Sequence, residues 1–179
     1  MTVPILEYSA LTPRAWKNGL GITRTLFDDA DATDAWTWRI SIAEITGTQP
    51  YSAYPGVRRG QVALGPGAVD LVINGRAETL AVDDVIAFDG EDEVSATPRE
   101  AGFLDLNVMT RRDTWDSTVK VIDAATVSAE PGGPTTLIAL DDDGALDDRP
   151  LARLDAALLE PGMTCTLRGR FVIARLRRI

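Results

Sequence analysis

The chain has 179 residues, 18 lysines and arginines against 27 acids, a formal net charge of −9, one cysteine and no histidine. The length suits one substantial core or two small barrels packed together. The acidic balance argues against nucleic acid as a partner, because a phosphate-binding surface needs clustered cations, and the missing histidine excludes histidine-based triads and histidine-ligated metals. No apolar run approaches the length of a bilayer span, and Met1-Thr2-Val3-Pro4 lacks the features of a secretory signal. Lone Cys165 cannot make an internal disulfide and reads as a small core residue. The expectation is a cytoplasmic protein, monomeric or homodimeric, with no membrane partner.

In chain order, Thr12-Pro13 is a cap-plus-first-turn pair that suits a helical turn over 12–16. Thr37 to Ile45 is the cleanest strand, with Trp36, Trp38, Ile40 and Ile42 on one face and Thr37, Arg39, Ser41 and Ala43 on the other. Val69 to Ile73, Asn74-Gly75 and Glu78 to Val82 read as a hairpin. Val85 to Phe88 and Phe103 to Arg111 are further strands, and the tail adds 120–122, 136–140, 163–168 and 171–176. Leu151 to Leu159 fits a helix as well as a strand. Many short strands with Gly/Pro turns imply an all-β sandwich or barrel.

Leu80-Ala81-Val82-Asp83-Asp84 followed by Val85 to Gly90 is similar to Leu151-Ala152-Arg153-Leu154-Asp155 followed by Ala156 to Glu160. A duplicated barrel would carry this unit once per half, and would make 151–159 extended; a chance likeness between two β segments is the alternative. The acidic blocks, such as Asp141-Asp142-Asp143, read as solvated turns. A calcium loop over 141–148 lacks the alternate-position acids and closing glutamate of an EF-hand.

Three clusters could carry chemistry. Trp16, Lys17, Asn18 and Arg24 surround Gly19 and Gly21, which let backbone approach a ligand; an ordinary turn with solvated cations is the bland reading. Arg39 lies on a strand whose two faces both look buried, so its guanidinium needs either a protein acid, with Asp105 the obvious candidate, or a ligand carboxylate. Alternation puts Asp105, Asn107, Met109 and Arg111 on one side, too polar for a closed core and suited to a pocket mouth. Near Pro55-Gly56, Ser52 and the tyrosines could contact a ligand or fill the rim. No set of residues suits a metal, and acid–base work would fall to Asp, Glu, Lys17 or Tyr.

Taken together, Trp16-Lys17-Asn18-Gly19, Gly21, Thr23-Arg24, Trp38 to Ala43, Ser52, Tyr54-Pro55-Gly56, Arg59, Phe88, Gly90, Asp105 to Met109 and Arg111-Arg112 resemble the HutD/Ves family of cupin-fold proteins. The resemblance spans roughly 14–112; the rest matches only in length and strand-like character. Leu20 and Thr48-Gln49-Pro50 depart from the family's Gly-rich turn and its Asp-Gly-Pro. The resemblance implies an all-β cupin (RmlC-like jelly-roll) barrel, a bicupin whose second half is degenerate. It divides the chain into residues 1–115, carrying the pocket, and 116–179, packed on it as one compact unit. Members are associated with bacterial histidine utilisation, where one is thought to bind N-formylglutamate or a related intermediate and moderate the pathway.

These observations give two readings. The first is a metal- and cofactor-independent binding protein for a small anionic metabolite, read by Trp16, Lys17, Asn18, Arg24, Arg39, Ser41, Ser52, Asp105, Asn107 and Arg111. An arginine fork suits a carboxylate, while Asn107 and Ser41 could address an amide or formyl group. The second is a metal-independent cupin enzyme, an isomerase or amide hydrolase, with Asp105 or Lys17 as its acid–base group.

Overall fold

A computed structural model describes residues 3–16 and 19–179. Apart from one 3-10 turn at Tyr8–Ala10, every regular element among them is a strand. The chain forms two compact units, Thr12–Thr114 on the one hand and Met1–Leu11 with Trp115–Ile179 on the other. Strand β1 (Ile5–Leu6) belongs to the second of these. The first unit holds β2 (Arg14–Ala15), β3 (Gly21–Asp28), β4 (Trp38–Ile45), β5 (Gln49–Pro50) and β6 (Val57–Gly65). It continues with β7 (Val69–Ile73), β8 (Arg76–Leu80), β9 (Val85–Asp89), β10 (Val94–Pro98) and β11 (Phe103–Arg111). The second unit adds β12 (Trp115–Ile122), β13 (Thr126–Ser128), β14 (Thr135–Ala139), β15 (Gly144–Leu146), β16 (Arg149–Leu151), β17 (Ala156–Leu159), β18 (Thr164–Arg168) and β19 (Phe171–Arg178).

Each unit is a pair of antiparallel sheets with an apolar core between them. In the first unit the sheets run β2-β3-β4-β11-β6-β9 and β5-β10-β7-β8, and Ile45, Ala63 and Phe103 of one meet Val69, Leu71, Leu80 and Ala96 of the other. In the second they run β1-β17-β14-β19-β12 and β13-β18-β15-β16, with Leu137, Leu159, Phe171 and Ile173 meeting Val127, Leu146, Cys165 and Leu167. Strand for strand the order is the same: β4-β11-β6-β9 corresponds to β12-β19-β14-β17, and β5-β10-β7-β8 to β13-β18-β15-β16. This is the two-sheet jelly-roll arrangement, present twice.

The two similar segments adopt one and the same turn. Asp83 and Leu154 both take a left-handed conformation, with φ of 73° and 74°. Asp83 N–H donates to Ala63 O at 2.8 Å and Leu154 N–H to Ala139 O at 2.7 Å. In the next residue, the Asp84 carboxylate accepts from Ala81 N–H at 2.9 Å and the Asp155 carboxylate from Ala152 N–H at 3.0 Å. Residues 151–159 are therefore not helical: β16 ends at Leu151, a turn follows, and β17 runs over Ala156–Leu159. The helical turn expected over 12–16 is also absent: Arg14 and Ala15 pair with Thr23 and Ile22, so sheet hydrogen bonding overrides a good local cap. Asn74-Gly75 forms the expected two-residue turn, with both φ values positive, as a type I′ hairpin requires.

Asp155 does more than close its turn, because its other oxygen accepts Tyr8 N–H at 3.0 Å and anchors the N-terminal segment. Asp155→Ala removes the side-chain acceptor of two backbone donors and is expected to cost about 2 kcal/mol. Asp84→Ala, which loses one exposed bond, should cost clearly less. Urea unfolding of the two variants checks the order, and an equal loss would refute it.

Candidate functional site

The register across the six-stranded sheet lines up inward-facing rows. Ile45 and Phe103 are partners and lie in the core, which fixes the face. Six residues further along β11 the row is Asp28, Arg39, Met109, Arg59 and Phe88; between them lie Thr25, Ser41, Asn107, Gln61 and Ile86, then Thr23, Ala43, Asp105 and Ala63. The interior therefore passes from an apolar end through a polar band to a row carrying two arginines.

Asp105 is the centre of that band, only 1% exposed. One carboxylate oxygen, Oδ2, accepts from Gln61 Nε2 at 2.7 Å and Asn107 Nδ2 at 2.9 Å, with the Tyr51 hydroxyl at 3.5 Å. Gln61 Nε2 also donates to the Tyr51 hydroxyl at 2.8 Å, which fixes the orientation of its amide. The Asn107 carbonyl accepts from Arg59 Nη2 at 2.6 Å. Arg59 is capped by aromatic rings, its guanidinium 4.8 Å from the Tyr51 centroid, 5.0 Å from Phe88 and 6.0 Å from Tyr54. Asp105 Oδ1, Gln61 Oε1 and Arg59 Nε have no hydrogen-bond partner among the described residues. Buried polar atoms are rarely left this way.

Burial pushes the Asp105 carboxyl up to about 6, against the opposing pull of Arg59 and of the Asn107 and Tyr51 hydrogen bonds. Burial, with the neighbouring Asp105 charge, holds the Tyr51 hydroxyl well above its ordinary range. Burial also lowers the Arg59 guanidinium.

Beyond this band lies an aromatic and cationic cluster. Arg39 and Arg111 lie over the Trp36 ring at 5.0 and 5.6 Å, and Trp36 packs on Tyr54 at 6.1 Å. Gly90 holds the Tyr54 segment close, since a Cβ there would lie 2.2 Å from Tyr54 O.

Among the residues singled out from the sequence, Ser41, Asp105 and Asn107 meet in the band, and Arg39 lies in the next row. Arg39 does not pair with Asp105. Its Nε lies 3.3 Å from Asp28 and its Nη2 3.4 Å from Asp34. Register explains this: Arg39 stands opposite Met109, about 13 Å along the strand from Asp105. Arg111 is exposed and donates to Pro55 O at 3.1 Å. Arg24 stands in a row with Ile42 and Leu106 on the opposite face of the sheet. Ser52 is exposed in its loop, and its neighbour Tyr51 is the residue that reaches inward. Trp16 packs against the core and donates from Nε1 to Thr23 at 2.7 Å. Lys17 and Asn18 lie outside the described residues. Sequence reasoning left Arg59 and Gln61 out of the site because β6 shows no amphipathic alternation to mark it as a strand, and it read Trp36 and Phe88 only as strand residues. Among the described residues no three His, Cys, Asp or Glu side chains converge to hold a metal ion. No helix among them is long and apolar enough to cross a membrane.

The second unit provides an internal comparison. Equivalent places in its strands put Leu137 where Gln61 stands, Ile173 where Asn107 stands and Phe171 where Asp105 stands, all inside its apolar core. One strand order thus surrounds a polar interior in one unit and an apolar one in the other.

The HutD family model matches residues 8–174. Protein Ves of Citrobacter koseri is 38% identical over 127 residues, covering 69% of this chain and 66% of that protein, a little under two thirds of its length. The solved structure of HutD from Pseudomonas fluorescens SBW25 (formate condition) has a TM-score of 0.88 at 18% identity, covering 99% of this chain and 100% of that one. A Cupin 2 conserved barrel domain protein from Leptotrichia buccalis has a TM-score of 0.63 at 11% identity, covering 100% and 98%. Both structural likenesses are of fold, and the fold is a cupin.

Burial of Asp105 has a measurable consequence. The folded state keeps this proton up to about pH 6, whereas the unfolded chain releases it near 3.8. Its contribution to stability is thus greatest below the lower value and is lost as pH rises through that window. Between about pH 4 and about pH 7 the wild type should lose about 2–3 kcal/mol relative to Asp105→Asn. Urea unfolding across this range tests it, and parallel profiles for the two proteins would contradict it.

Proposed function

This chain belongs to the HutD family, and from that membership we propose that its first unit binds a small anionic metabolite of the N-formylglutamate kind and moderates histidine utilisation in the cytoplasm. The observation that carries the reading is the buried Arg59–Asn107–Asp105–Gln61 network, in which the places of Gln61, Asp105 and Asn107 are filled in the other unit by Leu137, Phe171 and Ile173, and that of Arg59 by Thr135. A barrel of this strand order has no structural need for those polar groups, and burying them is costly. We read the two units as a bicupin whose second half has lost its polar interior. The likeness between the segments 80–90 and 151–160, with their shared turn, supports this.

Ligand chemistry follows from the layers. Arg59 offers a guanidinium whose hydrogen bond goes to a neutral amide, so its charge is still available to a ligand carboxylate. Arg39, held by Asp28 and Asp34, adds a second cation in the same row as Arg59, and Trp36 and Tyr54 supply flat apolar surface for the carbon skeleton. Asn107 and Ser41 suit an amide or formyl group. The net charge of −9 does not prevent this, because repulsion beyond roughly 8 Å is screened at physiological salt while the arginines act at contact.

A second reading is a metal-independent cupin enzyme, favoured by the Asp105 carboxyl raised to about 6, where an acid–base group would work. Isothermal titration with N-formyl-L-glutamate, followed by NMR of the ligand over hours, separates the two. Binding without turnover is expected. Arg59→Met should weaken binding by at least about tenfold and Arg39→Gln by less. Absence of heat or thermal shift at millimolar ligand, or wild-type affinity in Arg59→Met, would overturn the binding reading; consumption of the ligand, lost in Asp105→Asn, would establish the enzyme.

A further inference from the structure

The second unit is apolar within, but its inward face changes character one row from the end. Thr118, Arg175 and Thr135 are partners across β12, β19 and β14, and they occupy the places that Arg39, Met109 and Arg59 hold in the first unit. The order is inverted: two cations flank an apolar residue in one unit, and two hydroxyls flank a cation in the other. These three residues line a pocket of about 240 Å³ together with Asp116, Glu130 and Arg177. The next inward row supplies Leu137 and Ile173, which belong to the apolar core. One wall is the loop before β14, pinned to β19 by Leu176 N–H donating to Pro134 O at 3.0 Å and Arg178 N–H to Gly132 O at 2.9 Å.

Within this pocket the charges are unevenly matched. Arg177 pairs with Asp116 at 3.2 Å. Arg175 Nε is buried and has no hydrogen-bond partner among the described residues. A pocket-lining arginine whose Nε lacks a partner, flanked in register by Thr118 and Thr135 and next to an apolar row, matches a planar carboxylate, which accepts two parallel N–H bonds from a guanidinium edge. The volume is below the usual range for drug-sized ligands, so the occupant is small. Glu130 disfavours a dianion such as phosphate, and offers a partner to an ammonium group.

We propose that this pocket is a second binding site, for a small monocarboxylate, independent of the site in the first unit. A simple carboxylate and an α-amino acid share the group that Arg175 recognises, and they differ in whether Glu130 is also engaged.

The test is a set of ¹H–¹⁵N NMR titrations of the full chain with sodium acetate, glycine, sodium phosphate and sodium chloride. Saturable shifts at Thr135, Arg175 and Leu176 are expected with acetate or glycine and not with chloride or phosphate. Arg175→Leu should weaken the response at least tenfold. Thr118→Trp, at an exposed edge position, should block it while leaving the fold intact, and Arg59→Met should leave it unchanged. A tighter response to glycine than to acetate would identify an amino-acid site, and equal responses a simple carboxylate site. Shifts that fail to saturate, that chloride reproduces, that persist in a folded Thr118→Trp, or that map only to the first unit would overturn the proposal.

Discussion

Much of the first unit follows from one carboxylate placed where water cannot reach it. An ionised acid in a protein interior costs several kcal/mol unless donors surround it, and Asp105 is 1% exposed. Gln61 and Asn107 stand side by side in the adjacent row and turn their amide N–H groups to the same oxygen. Each amide then needs something for its remaining atoms: the Asn107 carbonyl takes Arg59, and the Gln61 amide takes the Tyr51 hydroxyl. Arg59 in turn is a buried cation and is covered by the faces of Tyr51, Phe88 and Tyr54. The Tyr54 segment can lie there only because residue 90 has no side chain. Residues on β6, β9, β11 and the loop before β6 are thus tied to a single charge.

The second unit shows that the barrel itself does not require this arrangement. Its strands have the same order, and Phe171, Leu137 and Ile173 do by packing what the polar band does by hydrogen bonding. Replacing a buried polar network with apolar side chains of similar volume is often neutral or stabilising, so the polar version stands at an energetic disadvantage. Asp105 Oδ1, Gln61 Oε1 and Arg59 Nε, which have no hydrogen-bond partner among the described residues, add to that disadvantage. Strain of this sort concentrates where a protein does its work.

Strands whose two faces differ in the ordinary way were legible. Phe103–Arg111 matches its alternation residue for residue, Trp38–Ile45 begins one residue late, and Asn74-Gly75 marks its hairpin. β6 was not legible, because Arg59 and Gln61 face inward while Val62 and Leu64 lie on the opposite face; periodicity assigns such a pattern no hydrophobic side. The site was obscured for the same reason, since the strand that supplies Arg59 and Gln61 is the one the pattern conceals. Pairing Arg39 with Asp105 failed for a different reason: both face inward, but their separation depends on register between strands, which no single strand encodes. The repeated segment was visible through Leu80 and Leu151, whereas the turn within it was not, because Leu154 adopts a left-handed φ that leucine ordinarily avoids.

The distribution of charge explains how an acidic chain can present a cationic interior. At the surface the arginines are occupied: Arg58 and Arg112 by Asp89, Arg99 by Asp70, Arg170 by Asp141. These pairs are exposed and add little to stability. Inside, the hydrogen bond from Arg59 goes to an amide, and the nearby acid, Asp105, is held by burial in a range where it sheds much of its charge at mildly acidic pH. The interior therefore carries more positive character than the count of its ionisable groups suggests, and it becomes more positive as Asp105 takes up its proton. An anion bound as proposed meets that field at short range, where screening by salt is weakest.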